Sequence, residues 1–174
     1  STGQPDDALG PEQRAWLNGR LARPSGRWPV VCTQQPVSRR IGDDGDAIGE
    51  AGWSGFASSQ SDLLSAVRRA GAAIVSGDVH TSWLIEDAGV VEAVVPSVTS
   101  RSTADRKGSE VAIALEETYR AANPAVSWID LQRHGYVIID ADRDRCRFEW
   151  WFVDAVDDRT AGQHLAHAFE WIRP

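Results

Sequence analysis

The chain has 174 residues and a mass of 19.0 kDa, the size of one ordinary domain. Hydrophobic residues at 42% and charged residues at 25% exclude wholesale disorder. A net charge of −7 argues against a nucleic-acid partner, whose binding domains carry a basic balance.

Eight tryptophans predict a sizeable buried core. No apolar run approaches the roughly 18 residues that span a bilayer. No charged segment followed by an apolar one opens the chain, so neither a membrane span nor an export signal is expected. Cys32 and Cys146 lack the spacing of a zinc knuckle. They read as two buried free thiols, with a single disulfide as the alternative.

Residues 1–8 are polar and small and read as a frayed end or linker remnant. Leu9 to Leu21 is expected to be a helix: Pro11 suits its first turn, and Trp16, Leu17 and Leu21 recur at helical spacing. Trp28 to Thr33 (W-P-V-V-C-T) reads as a short buried strand. Gln34 to Gly55 has no period, and a loop of that length reads as a lid or binding loop. Ser58 to Ala70 is a second helix with Leu63, Leu64 and Val67 on one face, and Ala72 to Ser76 a buried strand.

Trp83 to Glu86 and Val90 to Val95 read as strands joined by the turn Asp87-Ala88-Gly89. Ser97 to Arg106 is expected to be a polar loop, and Val111 to Ala122 a third helix closed by Asn123-Pro124. Tyr136 to Asp140 and Arg145 to Val153 read as a hairpin about the turn at Asp142 to Asp144. The tail, 157–174, carries Leu165, Phe169 and Ile172 in an amphipathic stretch expected to be helical. The order predicts an α/β protein, an α+β sandwich with a mostly antiparallel second half.

One string carries chemistry. In A-A-I-V-S-G-D-V-H-T-S-W (Ala72 to Trp83) an apolar strand delivers Gly77, Asp78 and His80 to its carboxyl end, where α/β sheets place ligands. Gly77 permits close backbone approach. Asp78 and His80 are two residues apart and would share one side of an extended chain. A carboxylate with an imidazole suits a transition metal. The alternative is an Asp capping the next turn and a His satisfied by hydrogen bonds.

This string resembles the last metal-binding motif of the PhoD-like alkaline phosphatases, G-D-[VI]-H-x-x-W, within the calcineurin-like metallophosphoesterases. The resemblance is collinear from about Leu9 to Asp154. Leu9 to Leu17 is similar to the family helix opening L-G-x-x-Q-x-x-W-L, and Trp28 to Gln34 to its W-x-V-x-x-x-Q strand. Trp53-Ser54-Gly55-Phe56 is similar to its W-D-G-Y loop. Pro96 to Ser100 (P-S-V-T-S), Asn123-Pro124, Asp130-Leu131, His134-Gly135-Tyr136 and Glu149 to Asp154 (E-W-W-F-V-D) follow in family order.

The resemblance implies the C-terminal half of a four-layer α/β/β/α metallophosphoesterase domain over residues 9–156. It implies hydrolysis of phosphate monoesters and diesters with iron(III) and calcium, Asp78 and His80 being metal ligands and His80 a catalytic residue. His134 is placed as a second catalytic group, facing phosphate or supporting the metal ligands. Trp53 and Arg101 are expected to bind substrate, with the loop from Gln34 to Gly55 and the P-S-V-T-S segment forming the pocket rim. The family's remaining ligands lie in its N-terminal half, so the expected partner is that half, as a separate chain or fragment. Family members are commonly exported by a twin-arginine signal, which would lie upstream. Three positions depart from the pattern: Ser54 replaces an acid, Phe56 a phenol, and Trp128 stands where Tyr is common.

Other groups have plainer readings beside functional ones. His164 and His167, three apart, would share a helix face, as metal ligands or as a solvated surface. Asp43, Asp44 and Asp46 lie among glycines like part of a calcium loop, or in a solvated turn. Arg39, Arg40 and Arg101 could steer phosphate or form surface ion pairs. Trp150 and Trp151 point to opposite faces of a strand. Two further functions remain: Ser1 as the nucleophile of a self-cleaved hydrolase, which requires a strand directly after it, and a phosphoesterase-like partner domain without catalysis.

Overall fold

In the computed structural model, residues 7–48 and 52–172 are described. The order is α1 (Gly10–Ala22), β1 (Val30–Cys32), a 3₁₀ turn (Trp53–Gly55), α2 (Ala57–Ala70), β2 (Ala73–Ser76), β3 (Ser82–Asp87) and β4 (Val90–Val94). It continues with α3 (Thr103–Lys107), α4 (Ser109–Ala122), β5 (Val126–Asp130), β6 (Gly135–Ala141), β7 (Cys146–Val153) and β8 (Gln163–Trp171).

Two sheets stack. The first has five strands in the order β1-β2-β4-β3-β5, and the second has three in the order β6-β7-β8. In the first sheet β1, β2 and β4 run parallel, with Val30 opposite Ala73 and Ser76 opposite Val94. Strand β3 is antiparallel to both β4 and β5, so β5 runs the same way as β4. Four strands therefore end at one edge. The helices pack on the outer face of this sheet, α1 and α2 in one cluster with Val31, Ile74 and Trp53, α4 in another with Trp83, Ile85 and Ile129. The inner face, Ala73, Leu84, Val91 and Ala93, meets Cys146, Phe148 and Trp150 of β7. This is the expected α/β architecture, with helix, sheet and sheet as successive layers.

The tail departs from expectation. Residues 163–171 form a strand, not a helix, paired along β7. A bulge between Trp150 and Trp151 shifts the register. It splits the inward set, so His167, Phe169 and Trp171 alternate at period two against Trp150, Phe148 and Cys146. The 165, 169, 172 spacing only imitates a helix. Strand β5 and the short helix α3 lie where no element was expected. The cysteines are both free, but Cys32 is exposed on the edge strand rather than buried. Ser1 and the five residues after it, where the self-cleaved hydrolase requires a strand, fall outside the described residues. No helix among the described residues is long and apolar enough to cross a membrane.

The loop after β1 is not a loose lid. Its Val37 and Ser38 amides are bonded to the buried Glu92 carboxylate. The Ile41 amide donates to Asn123 Oδ1 over 2.6 Å, and Asn123 Nδ2 returns a bond to the Ile41 carbonyl. Val37 joins the α2 cluster while Ile48 packs against the α4 cluster, so the loop fills the gap between the two helices. Asp43, Asp44 and Asp46 are exposed on a turn closed by the Gly42 amide donating to the Asp46 carbonyl.

Candidate metal and phosphate site

The carboxyl ends of β1, β2, β4 and β5 bring four stretches of chain to one sheet edge, the place where open α/β sheets hold ligands. After β1 stands Gln35. After β2 stand Asp78 and His80. The loop after β4 carries Arg101 and leads into α3 with Asp105 and Arg106. After β5 comes His134.

The strand end is a tight turn, not extended chain. Asp78 has φ 71° and His80 φ 58°, both in the left-handed region, with the Val79 amide bonded to the Gly77 carbonyl over 2.9 Å. Asp and His tolerate that region better than bulky residues, at a cost that clusters at functional sites. Gly77 donates its amide to the Gln34 carbonyl. A Cβ there would meet Val95 at 3.5 Å, an ordinary contact, so crowding does not explain the glycine.

Asp78 is exposed and accepts from Gln35 Nε2 at 3.1 Å on one carboxylate oxygen. His80 Nδ1 lies 2.8 Å from Arg106 Nη2 and 3.3 Å from the Arg101 carbonyl. Arg106 Nη2 also donates to that carbonyl over 2.8 Å. The ring has two options. Nδ1 can accept from Arg106, which puts the proton of the neutral ring on Nε2. Alternatively Nδ1–H donates to the Arg101 carbonyl, leaving the Nε2 lone pair for a metal. What Arg101 gives this region is its backbone carbonyl.

His134 is held one residue along α3 from Arg106. Its Nε2 bonds Asp105 Oδ2 at 2.9 Å, and Ser97 Oγ is 3.4 Å from Nδ1. Ser97 Oγ donates in turn to the Ser100 carbonyl. Asp105 also closes a capping box, its carboxylate accepting the Ser102 amide while Ser102 Oγ accepts the Asp105 amide. The Ser102 amide, ahead of His134, holds the Asp105 carboxyl below its ordinary value. The pair Ser102 and Asp105, three residues apart, was the sequence signal for this helix.

Several expected site residues stand elsewhere. Trp53 is buried among Val37, Leu63 and Val67. It also lines a groove of about 820 Å³ between α1 and β1, together with Trp16, Leu17, Trp28 and Gln35. Arg40 is buried, its guanidinium 5.5 Å over the Trp83 ring. Burial lowers its pKa, with Glu92 acting in the opposite sense, so it is core rather than a surface steering group. His164 bonds Asp154 at 3.0 Å and His167 stacks on Trp128, so each ring has its own partner. Trp150 is fully buried and Trp151 half-buried.

Does this edge suit a metal? Asp78 and His80 are donors of suitable types, and partners already hold both side chains. No cluster of three or more His, Cys, Asp or Glu able to hold an ion occurs among the described residues. A hard cation takes about six oxygen ligands or more. The pair therefore suits part of a metal site, not a whole one.

A solved structure described as that of PhoD superposes on this chain with a TM-score of 0.78 and 18% sequence identity. The match covers 94% of this chain and 33% of the PhoD chain, so the chain spans about a third of that structure's length and shares its fold. No curated protein sequence matches. The family model of the PhoD-like phosphatases matches residues 1–150. That match takes in the whole strand-end turn and every loop that converges on it, and the chain belongs to the PhoD-like phosphatase family.

Proposed function

We propose that this chain contributes part of the active site of a phosphatase that hydrolyses phosphate monoesters or diesters with metal ions. The observation that carries the reading is the convergence of Asp78, His80, Arg106 and His134 from three separate loops at one sheet edge. A metal held there would offset charge on the phosphoryl oxygens and lower the pKa of a bound water. Asp78 and His80 are the residues that would hold it. The ions implied by the family resemblance are iron(III) and calcium.

The roles of the remaining groups follow from their contacts. Gln35 fixes one oxygen of Asp78. Arg101, through its carbonyl, sets the ring orientation of His80. The Arg106 guanidinium stands beside His80 with donors that suit a phosphate oxygen. His134 is oriented by Asp105 and supports the edge of the site. Trp53 acts on substrate through the groove it lines rather than by touching the strand end.

The remaining ligands would come from a partner segment, the N-terminal portion of such a phosphatase. Edge strand β1 and the apolar groove beside it, with Trp16 63% exposed, support a docking surface there.

The test is hydrolysis of p-nitrophenyl phosphate and bis-p-nitrophenyl phosphate by the chain together with that portion, before and after chelation. Asp78→Asn and His80→Gln should each lower kcat/KM by about a hundredfold or more, since the partners of metal ligands alone carry about 10–100-fold. Unchanged rates in both variants would overturn the assignment.

A further inference from the structure

Strand β4 lies in the middle of the first sheet, and all five of its side chains are buried. Four are Val or Ala. The fifth is Glu92, fully buried. A carboxyl group there is costly unless its oxygens are bonded, and they are. One oxygen accepts the Val37 amide at 2.8 Å and Ser76 Oγ at 2.6 Å, and the other accepts the Ser38 amide at 2.7 Å.

Those partners come from two different segments. Val37 and Ser38 belong to the loop after β1. Ser76 is the last residue of β2, two before Asp78. The same two segments touch once more, nearer the edge. The Gly77 amide donates to the Gln34 carbonyl, and Gln35 Nε2 donates to Asp78. An apolar residue like its neighbours would serve packing at this position as well or better. Besides a negative charge for the buried Arg40, Glu92 adds a fixed distance between loop and strand end.

We propose that Glu92 is a positioning residue for Asp78. It clamps residues 37–38 against the end of β2, so that Gln35 holds one oxygen of the Asp78 carboxylate and, among the described residues, no hydrogen bond engages the other. The inference rests on the reading of Asp78 as a metal ligand, while the mechanical link from Glu92 to the turn stands on the hydrogen bonds alone.

The test uses the ¹⁵N-labelled chain as wild type, Glu92→Gln, Ser76→Ala and Gln35→Ala. Backbone amide exchange is read without metal, then amide line broadening during a Mn²⁺ titration. Glu92→Gln turns a donor toward a donor at almost constant volume. Exchange at Val37, Ser38 and Gly77 to His80 should quicken by about tenfold to a hundredfold, with β6 to β8 unchanged. The Mn²⁺ concentration that half-broadens Asp78 and His80 should rise about tenfold. Gln35→Ala should raise that concentration similarly while leaving exchange at Val37 and Ser38 unchanged. Ser76→Ala removes one hydroxyl and carries the comparison if Glu92→Gln does not fold.

Faster exchange spread evenly over the sheet would overturn the proposal, because it marks a packing role. So would an effect confined to Val37 and Ser38. Absence of Mn²⁺ broadening at Asp78 and His80 in the wild type would overturn the metal reading instead. The exchange rates at Gly77 to His80 would then decide the Glu92 link by themselves.

Discussion

Trp128 and His167 lie face to face across the two sheets, ring centroids 4.5 Å apart and planes 6° from parallel. Burial lowers the His167 pKa from its ordinary 6.5, with Glu86 acting in the opposite sense. The unfolded chain thus binds a proton that the folded chain refuses. Stability is complete above the unfolded value and is lost as pH falls through about 6.5 toward the depressed folded value. Melting temperature should decline between about pH 7.5 and pH 5, and His167→Phe should flatten that part of the profile. An unchanged slope in the variant would show that another group is responsible.

The contact between the sheets rests on few large side chains. Phe148 is fully buried between Phe169 and the inner face of the first sheet. Phe148→Ala should cost about 3–5 kcal/mol, a large part of the roughly 5–15 kcal/mol that holds a domain folded. Urea denaturation should show a lower midpoint with the slope retained.

Gly135 opens β6 directly beneath the β7 backbone. A Cβ placed there would sit 1.9 Å from the Trp151 carbonyl oxygen and 3.0 Å from the Phe152 Cα. Neither neighbour is a flexible side-chain tip. Gly135→Ala should therefore destabilise by about 1–3 kcal/mol or more through forced separation of the strands. It should also move His134, the preceding residue, as read by its ring proton shifts.

The capping box of α3 gives a local test. Ser102→Ala should cost about 0.5–2 kcal/mol and free the Asp105 amide to exchange. Asp105 has a folded-state pKa below its ordinary 3.8, so its contribution is full above that value and lost as acid titrates the depressed folded carboxyl. Protection from exchange across Thr103 to Lys107, relative to the unfolded chain at the same pH, should fall below about pH 4 in the wild type, and at all pH values in Asp105→Asn.

Much of this was legible in the residues and some was not. The periods of Leu63, Leu64 and Val67 and the run A-A-I-V-S announced α2 and β2. Asp78 and His80 were legible as a pair because a strand end gathers chemistry whatever the turn geometry. That both sit at positive φ was not, since backbone strain leaves no pattern in residue type. Strand β8 was hidden by the bulge at Trp150 and Trp151, which breaks the alternation. Helix α3 has no apolar period, and only Ser102 and Asp105 signal it. Arg40 looked solvated because sequence does not show that Trp83 and Tyr119 stack to receive it. The sequence signal for Glu92 is one acid inside V-V-E-A-V, a run otherwise fit for the centre of a sheet.

Helix α3 has five residues, yet it sits where the chain crosses from one sheet to the other. The Ala104 amide donates to the Leu131 carbonyl, Asp105 grips His134, and Arg106 reaches His80. The Gly135 amide ties back to Ser97. The two β layers cannot part at this edge without straining the bonds that His134 and Gly135 make to Asp105 and Ser97. A ligand held by His80 and His134 together would rivet the layers, so it should make the two sheets melt as one sharper transition.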